Sequence, residues 1–306
     1  MTIQDLVQGA RDRLIRAGIS ANLAGLDAEV LARRVLGWDQ ARFLVDRNEP
    51  ASSAFLLNYE HYVARRMRRE PISYIIGTRE FWSLDFEVTP DVLIPRPETE
   101  LIIEEAIKRF RETGVRPLFP TEPPAAIEGR GLTRVSAPLF IDVGTGSGVL
   151  AIVLAKEFSK ARVIATDVSA GALRVARRNA ERHGVADRIT FVETSFLDGL
   201  EEMADLIVSN PPYVPAVSAA GLTPEVLDYE PSVAVFGGED GLEGLRRVFE
   251  DAIPRLTPRA WLIVEFGYGQ EDAVRSLVEE LPALSLVSIR GDLQDIPRTA
   301  VVQKRP

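Results

Sequence analysis

Ser209-Asn210-Pro211-Pro212-Tyr213 combines a rigid corner with hydrogen-bond acceptors at the end of an apolar run, Leu206-Ile207-Val208. The run has the length and composition of a buried strand. Two successive prolines remove two backbone N–H donors and bias Asn210 towards an extended conformation. Such a corner offers acceptors, namely the Asn210 side-chain oxygen and nearby carbonyls, with the flat face of Tyr213 beside them. That set suits a planar NH2 group, either a carboxamide or the exocyclic amine of a base. With both N–H bonds engaged, the nitrogen lone pair points out of the plane. Orienting that pair, and stabilising the positive charge that grows as it attacks, is the electrostatic help a poor nitrogen nucleophile needs. Taken alone, the stretch is also readable as a proline-rich turn after a strand.

A second constellation lies upstream. Leu139-Phe140-Ile141-Asp142-Val143 has the pattern of a buried strand. Gly144-Thr145-Gly146-Ser147-Gly148 then turns the chain tightly into a helical run beginning at Val149. The next strand pattern, 162–166, ends at Asp167. A glycine-rich strand-to-helix turn with an acid about 20 residues further on is a nucleotide-binding pattern, and Asp167 would accept hydrogen bonds from both ribose hydroxyls. The dinucleotide fingerprint needs glycine at position 149, which is Val149. The observed Gly-x-Gly-x-Gly, preceded by Asp142, lacks a phosphate cradle and fits S-adenosylmethionine, whose sulfonium and amino acid end replace the pyrophosphate. In a parallel sheet Ser209–Tyr213 falls at the carboxyl edge, where such folds bind ligands. Methyl donor and amine-binding corner would face one another there.

The elements that must position these groups change character along the chain. Residues 1 to about 70 carry amphipathic helices. Ile3, Leu6, Val7, Ala10, Leu14 and Ile15 follow a possible Thr2 cap and stop at Gly18. Leu26, Val30, Leu31 and Val35 run to Gly37, and Phe55, Leu56, Tyr59, Val63 and Met67 precede Pro71. Nothing in this bundle has catalytic chemistry, so it reads as a lid or a partner-docking module. Tyr74-Ile75-Ile76 and Phe81–Val88 flank Gly77-Thr78, the expected turn of a β-hairpin. A stiff Leu93-Ile94-Pro95-Arg96-Pro97-Glu98-Thr99-Glu100 loop and a helix to about Arg111 follow. Residues 112–138 hold five prolines without periodicity and read as a surface loop or insert. From Leu139 onward strands and helices alternate, with further strands expected at 189–192, 205–208, 260–266, 284–289 and 299–303. Ser169 caps, and Gly184 stops, the helix between the second and third. This is a mostly parallel seven-stranded sheet, an α/β Rossmann-like domain. The expected organisation is a helical domain at 1–71, a β-hairpin linker at 72–98 and the α/β domain at 99–306.

Composition sets the outer bounds. The chain has 306 residues, 46% hydrophobic and 26% charged, with net charge −9 and no cysteine. Disulfides, thiolate nucleophiles and sulfur metal sites are excluded, and the acidic balance argues against a dominant nucleic-acid surface. His61 and His183 are expected at surface or helix-end positions and not as metal ligands. No apolar run reaches membrane-spanning length, and no leader is visible, so a soluble cytoplasmic protein is expected. The run Arg65-Arg66 with Arg68-Arg69 is either a solvated helix face or a contact to an acidic or RNA-bearing partner.

The glycine loop, Asp167 and Asn-Pro-Pro-Tyr in this order are the motifs of amino-methyltransferases. Gly77-Thr78-Arg79-Glu80-Phe81-Trp82, the Leu93–Glu100 stretch, and Glu230-Pro231 followed by Gly238-Glu239-Asp240-Gly241-Leu242 closely resemble the PrmC (HemK) family almost from end to end. The resemblance implies methylation, from S-adenosylmethionine, of the glutamine side-chain nitrogen in the Gly-Gly-Gln loop of class 1 peptide chain release factors. It further implies that Gly144, Thr145, Gly146, Ser147, Gly148, Asp167, Phe196 and Asn210 hold the donor. Phe196 stands where relatives often carry tryptophan against the adenine. Asn210, Pro211, Pro212 and Tyr213 would bind the glutamine and form the catalytic corner. Asn210 and the Pro211 carbonyl take the amide hydrogens, and Tyr213 packs on the amide plane. No metal, direct nucleic-acid contact or membrane is implied. Two other classes remain: an adenine amino-methyltransferase, since the corner also receives a flipped base, and a non-catalytic donor-binding module.

Overall fold

A computed structural model describes residues 1–112 and 137–306. The expected proline-rich surface loop therefore falls, over 113–136, outside the described residues. The chain forms two compact units, one of Met1–Thr78 with Leu222–Tyr229 and one of Arg79–Gly221 with Glu230–Pro306. No described helix is long and apolar enough to cross a membrane.

The first unit is helical: α1 (Ile3–Arg16), α2 (Ala21–Leu36), α3 (Gln40–Asp46), α4 (Ser53–Met67) and α5 (Ile72–Ile76). Thr2 does cap α1. Its hydroxyl accepts from the Asp5 N–H at 3.1 Å and the Asp5 carboxylate accepts from the Thr2 N–H at 2.8 Å, a reciprocal capping box. In α2 the buried face differs from the expected apolar stripe. Ala24, Asp27, Ala28, Leu31 and Ala32 are buried, while Leu26 is 57% exposed. Small side chains let α1 and α4 approach closely on that face, and Asp27 is tolerated there because Arg66 Nε meets it at 2.7 Å.

The same pairing corrects the reading of the arginine run. Arg66 is buried between Asp27 and Glu225, Arg69 grips both Glu225 oxygens at 2.7 Å, and Arg65 pairs with Glu70. These guanidiniums are not a solvated face. They clamp the returning Leu222–Tyr229 segment, which the Tyr229 hydroxyl also ties to the Arg68 carbonyl at 2.7 Å.

The hairpin also lies elsewhere than expected. Ile72–Ile76 is helical and Gly77, at φ 79°, is its left-handed cap. The hairpin joins β1 (Thr78–Phe81) to β2 (Leu84–Glu87) through Trp82 and Ser83, at φ 54° and 58°. Two successive positive φ angles normally call for Asn-Gly. Here carboxylates hold the turn: Glu100 accepts from the Trp82 N–H at 2.8 Å and Glu80 from the Ser83 N–H at 2.6 Å.

The second unit continues with α6 (Glu100–Glu112), β3 (Leu139–Val143), α7 (Val149–Glu157), β4 (Arg162–Asp167), α8 (Ala170–Arg182), β5 (Ile189–Glu193) and β6 (Ala204–Ser209). After α9 (Pro224–Leu227, within the helical unit) come α10 (Ser232–Val235), α11 (Glu243–Ala252), β7 (Leu256–Glu265), α12 (Glu271–Glu279), β8 (Leu284–Gly291) and β9 (Pro297–Lys304). The seven-stranded sheet has the order β5-β4-β3-β6-β7-β9-β8, parallel except that β9 runs antiparallel to β7 and β8. Side chains alternate across it. Phe140, Leu206, Val208 and Ile263 pack beneath α6 and α7, whereas Ile141, Val143, Ile207 and Val264 pack against α11 and α12. The chain leaves β3 towards β4 and β5, then returns to β6 on the other side. That reversal opens a crevice at the carboxyl ends of β3 and β6.

Candidate active site

The glycine loop is held from below and from the side. Gly144, Gly146 and Gly148 have φ of 71°, 55° and 86°, which L side chains rarely adopt. Gly148 gives α7 no capping side chain. Asp142, fully buried at the end of β3, does that work from across the loop: its Oδ2 accepts from the Ala151 N–H at 3.0 Å and from the Thr145 hydroxyl at 2.6 Å. Asp142 Oδ1 is buried without a partner among the described residues, and burial pushes the carboxyl up to about 7. Asp167 closes the loop from β4. Its Oδ2 accepts from the Gly146 N–H at 2.8 Å and its Oδ1 from the Ser169 N–H at 2.9 Å. Burial raises this carboxyl, opposed by those N–H groups.

A cavity of about 540 Å³ opens above the loop, and Asp167, Phe196, Asn210, Pro211 and Pro212 line it together with the loop residues Gly144–Ser147. A side chain placed at Gly144 or Gly146 would meet nothing within 4 Å, so the loop shows bare backbone to the cavity. Phe196, at φ 49°, is held in the left-handed region, its carbonyl accepting from the Thr166 hydroxyl at 2.8 Å. Volume, exposed loop backbone and a half-buried acid at β4's carboxyl end fit the adenosine half of S-adenosylmethionine.

The acceptor corner is fixed by a buried relay. Asn210 Nδ2 donates to Thr99 Oγ1 at 2.9 Å, the Thr99 hydroxyl donates to Glu265 Oε2 at 2.7 Å, and the Tyr213 hydroxyl donates to Glu265 Oε1 at 3.1 Å. Asn210 Oδ1 and the Pro211 carbonyl take no hydrogen bond from the described residues. Behind the corner, Gly237 packs so closely that a Cβ there would stand 2.4 Å from the Pro212 carbonyl oxygen. Gln270 takes the Tyr213 carbonyl at 2.9 Å. Arg96 meets Glu230 at 2.6 Å and braces the proline-rich wall opposite.

Comparison with known proteins agrees with this architecture. The PrmC N-terminal domain family matches residues 5–77, and the methyltransferase small domain family matches residues 132–226. A release factor glutamine methyltransferase of Geobacter sulfurreducens is 40% identical over 274 residues, covering 89% of this chain and 87% of that one. The chain belongs to the release factor glutamine methyltransferase family. The Bradyrhizobium diazoefficiens member is 36% identical over 305 residues, covering 98% of this chain and 95% of its own. Among solved structures, the catalytic domain of hMettl16 in complex with MAT2A 3′UTR hairpin 6 is similar at a TM-score of 0.53 and 17% identity. That match covers 79% of this chain and 81% of the other. At that identity the likeness is one of fold alone.

For a release factor glutamine methyltransferase, the residues singled out in the sequence mostly converge on one cavity. Gly148 and Tyr213 are the exceptions, absent from the cavity lining: a Cβ at Gly148 would meet Ile152 and Ala176 at 3.0 and 3.1 Å, and the Tyr213 hydroxyl is drawn to Glu265. Burial, with Glu265 beside it, raises the phenol. Thr99 and Glu265 were not singled out as site residues. Thr99 sits two residues after Pro97 in the Leu93–Glu100 stretch, and that stretch is the available signal. Glu265 ends an apolar strand 166 positions away in sequence, and no spacing rule connects the two.

Proposed function

We propose that this chain is an S-adenosylmethionine-dependent methyltransferase acting on the side-chain amide nitrogen of the glutamine in the Gly-Gly-Gln loop of class 1 release factors. The observation that carries the reading is Asn210. Its NH2 is committed to Thr99, which leaves its oxygen as an acceptor on the cavity that the glycine loop and Asp167 also line. Gly144, Thr145, Gly146, Ser147, Asp167 and Phe196 would hold the donor, with Gly148 turning the loop into α7. Bound there, S-adenosylmethionine supplies an electrophilic methyl group on a sulfonium.

Asn210 Oδ1 and the Pro211 carbonyl accept the two N–H bonds of the glutamine amide. They hold its plane so that the lone pair faces away from both acceptors, and they stabilise the positive charge that forms on nitrogen as the N–C bond forms. The nitrogen loses one proton after transfer, when its charge makes it strongly acidic, so no base need act beforehand. Pro211 and Pro212 keep the corner rigid without adding N–H donors, and Tyr213 anchors it through Glu265. The helical unit, which carries no catalytic chemistry, is assigned the docking of the protein acceptor.

The test is methyl transfer from labelled S-adenosylmethionine to purified class 1 release factor, to its Gln→Ala loop variant, and to DNA. Label on the unaltered release factor alone is expected. Label on DNA, or on both release factors alike, would overturn the reading.

A further inference from the structure

We propose that Thr99 and Glu265 are positioning residues for methyl transfer, deciding between them which end of the Asn210 carboxamide faces the cavity. The inference rests on the reading that Asn210 receives the acceptor's NH2 group. The two ends of an asparagine side chain are nearly identical in shape and opposite in hydrogen-bonding sense. Only an oxygen facing the cavity accepts from a substrate amide; an NH2 there would set donor against donor. Some feature of the protein must therefore choose, and shape alone does not.

Proton counting makes the choice. Glu265 is 1% exposed, and its two oxygens lie 2.7 Å from Thr99 Oγ1 and 3.1 Å from the Tyr213 hydroxyl. As a carboxylate it has no proton, so both hydroxyls must donate to it. Thr99 has one proton, and once that is committed its oxygen only accepts. The group 2.9 Å away must then be Asn210 Nδ2, because a turned carboxamide would bring two acceptors together with no hydrogen between them. Protonation of Glu265 reverses the logic. Its O–H donates to Thr99, the Thr99 proton becomes free to reach Asn210, and the carboxamide can turn its NH2 to the cavity. The acceptor's receptor thus depends on one buried proton two hydrogen bonds away.

Glu265 is placed to change state within the working range of pH. Burial is the largest influence and lifts it to about 7, against the hydroxyls of Thr99 and Tyr213. Glu98, in the turn before α6, raises it further, and Arg298 on β9 lowers it. Arg298 is itself held by Asp292 at 3.1 Å, and Arg96 acts on the neighbouring Tyr213. Transfer is therefore expected to fall as pH drops below about 7, with the orientation of Asn210 as the cause.

The experiment compares pH profiles of kcat/KM for methylation of release factor by the wild type, Glu265→Gln, Thr99→Val and Thr99→Ser, with S-adenosylmethionine affinity measured for each. Glu265→Gln copies the protonated acid. It is expected to be slower by roughly 10²-fold and to lose the acidic limb, with donor affinity within about threefold of wild type. Thr99→Ser, which keeps the hydroxyl, is expected to be at least about tenfold faster than Thr99→Val. An unchanged acidic limb in Glu265→Gln, or equal rates for the two Thr99 variants, would overturn the proposal. A wild type that methylates no release factor would sink the functional reading instead. The inference is then judged by the side-chain 15N–1H signals of Asn210 in the wild type, which are expected to shift as pH crosses about 7 and to stay still in Glu265→Gln. Signals that do not move with pH in the wild type would refute it.

Discussion

Asp142 Oδ2 stands 3.0 Å from the Ala151 nitrogen, so a side chain at the end of β3 caps the first turn of the helix that follows the glycine loop. The cap comes with a fully buried carboxyl whose burial moves it from 3.8 to about 7.

That displacement predicts a pH-dependent cost. An acid whose folded-state pKa exceeds its unfolded value stabilises the fold when protonated. Its contribution is complete below about 3.8 and is lost as pH rises through about 7. Asp142→Asn, which never ionises, is expected to gain stability relative to wild type between pH 5 and pH 8, by on the order of 3 kcal/mol. Thermal unfolding of both proteins at the two pH values checks this. A Tm difference that is the same at both would mean that Asp142 is not displaced.

Asp167 carries two duties, holding Gly146 and Ser169 by their N–H groups while facing the cavity. Asp167→Ala is expected to weaken S-adenosylmethionine binding by about 10²-fold, the scale of losing two hydrogen bonds to a charged group. Titration calorimetry measures it. Affinity within threefold of wild type would remove Asp167 from the donor site.

Asn210→Ala is expected to lower turnover by roughly 10²–10³, the scale of losing one oriented transition-state hydrogen bond, with donor affinity changed far less. Steady-state kinetics paired with donor binding separates the two effects. Near-normal turnover would sink the mechanism.

Glu225 links the returning Leu222–Tyr229 segment to Arg66 and Arg69. Burial opposes its charge, but the two guanidiniums hold it at about 2. The pairing is thus present above the ordinary value of 4.5 and is lost as pH falls towards about 2. Glu225→Gln is expected to expose the segment to proteolysis about tenfold faster at neutral pH, as local opening becomes easier. An unchanged cleavage rate would show that the clamp does not hold the segment.

The strand positions, the Thr2 cap, the glycine loop and Asn210 were legible because each rests on local chemistry. Alternating or continuous apolar runs mark strands, proline and glycine restrict their own φ angles, and a cap needs residues only three apart. The hairpin turn was missed because Trp82 and Ser83 take positive φ without the usual Asn-Gly. Glu100 and Glu80 compensate, and Glu100 lies 18 positions away from its partner. The arginine run was misread because Asp27 and Glu225, its partners, lie 39 and 159 positions from Arg66.

What the sequence determined by itself is the α/β order of elements, the methyltransferase family, and the presence of an acceptor corner beside a glycine loop. What only the tertiary structure decided is which way that corner faces. The orientation of Asn210 depends on Thr99 and Glu265, which reach it from the turn before α6 and the end of β7. A residue's type states how many protons it can give or take; only folding fixes which neighbour receives them.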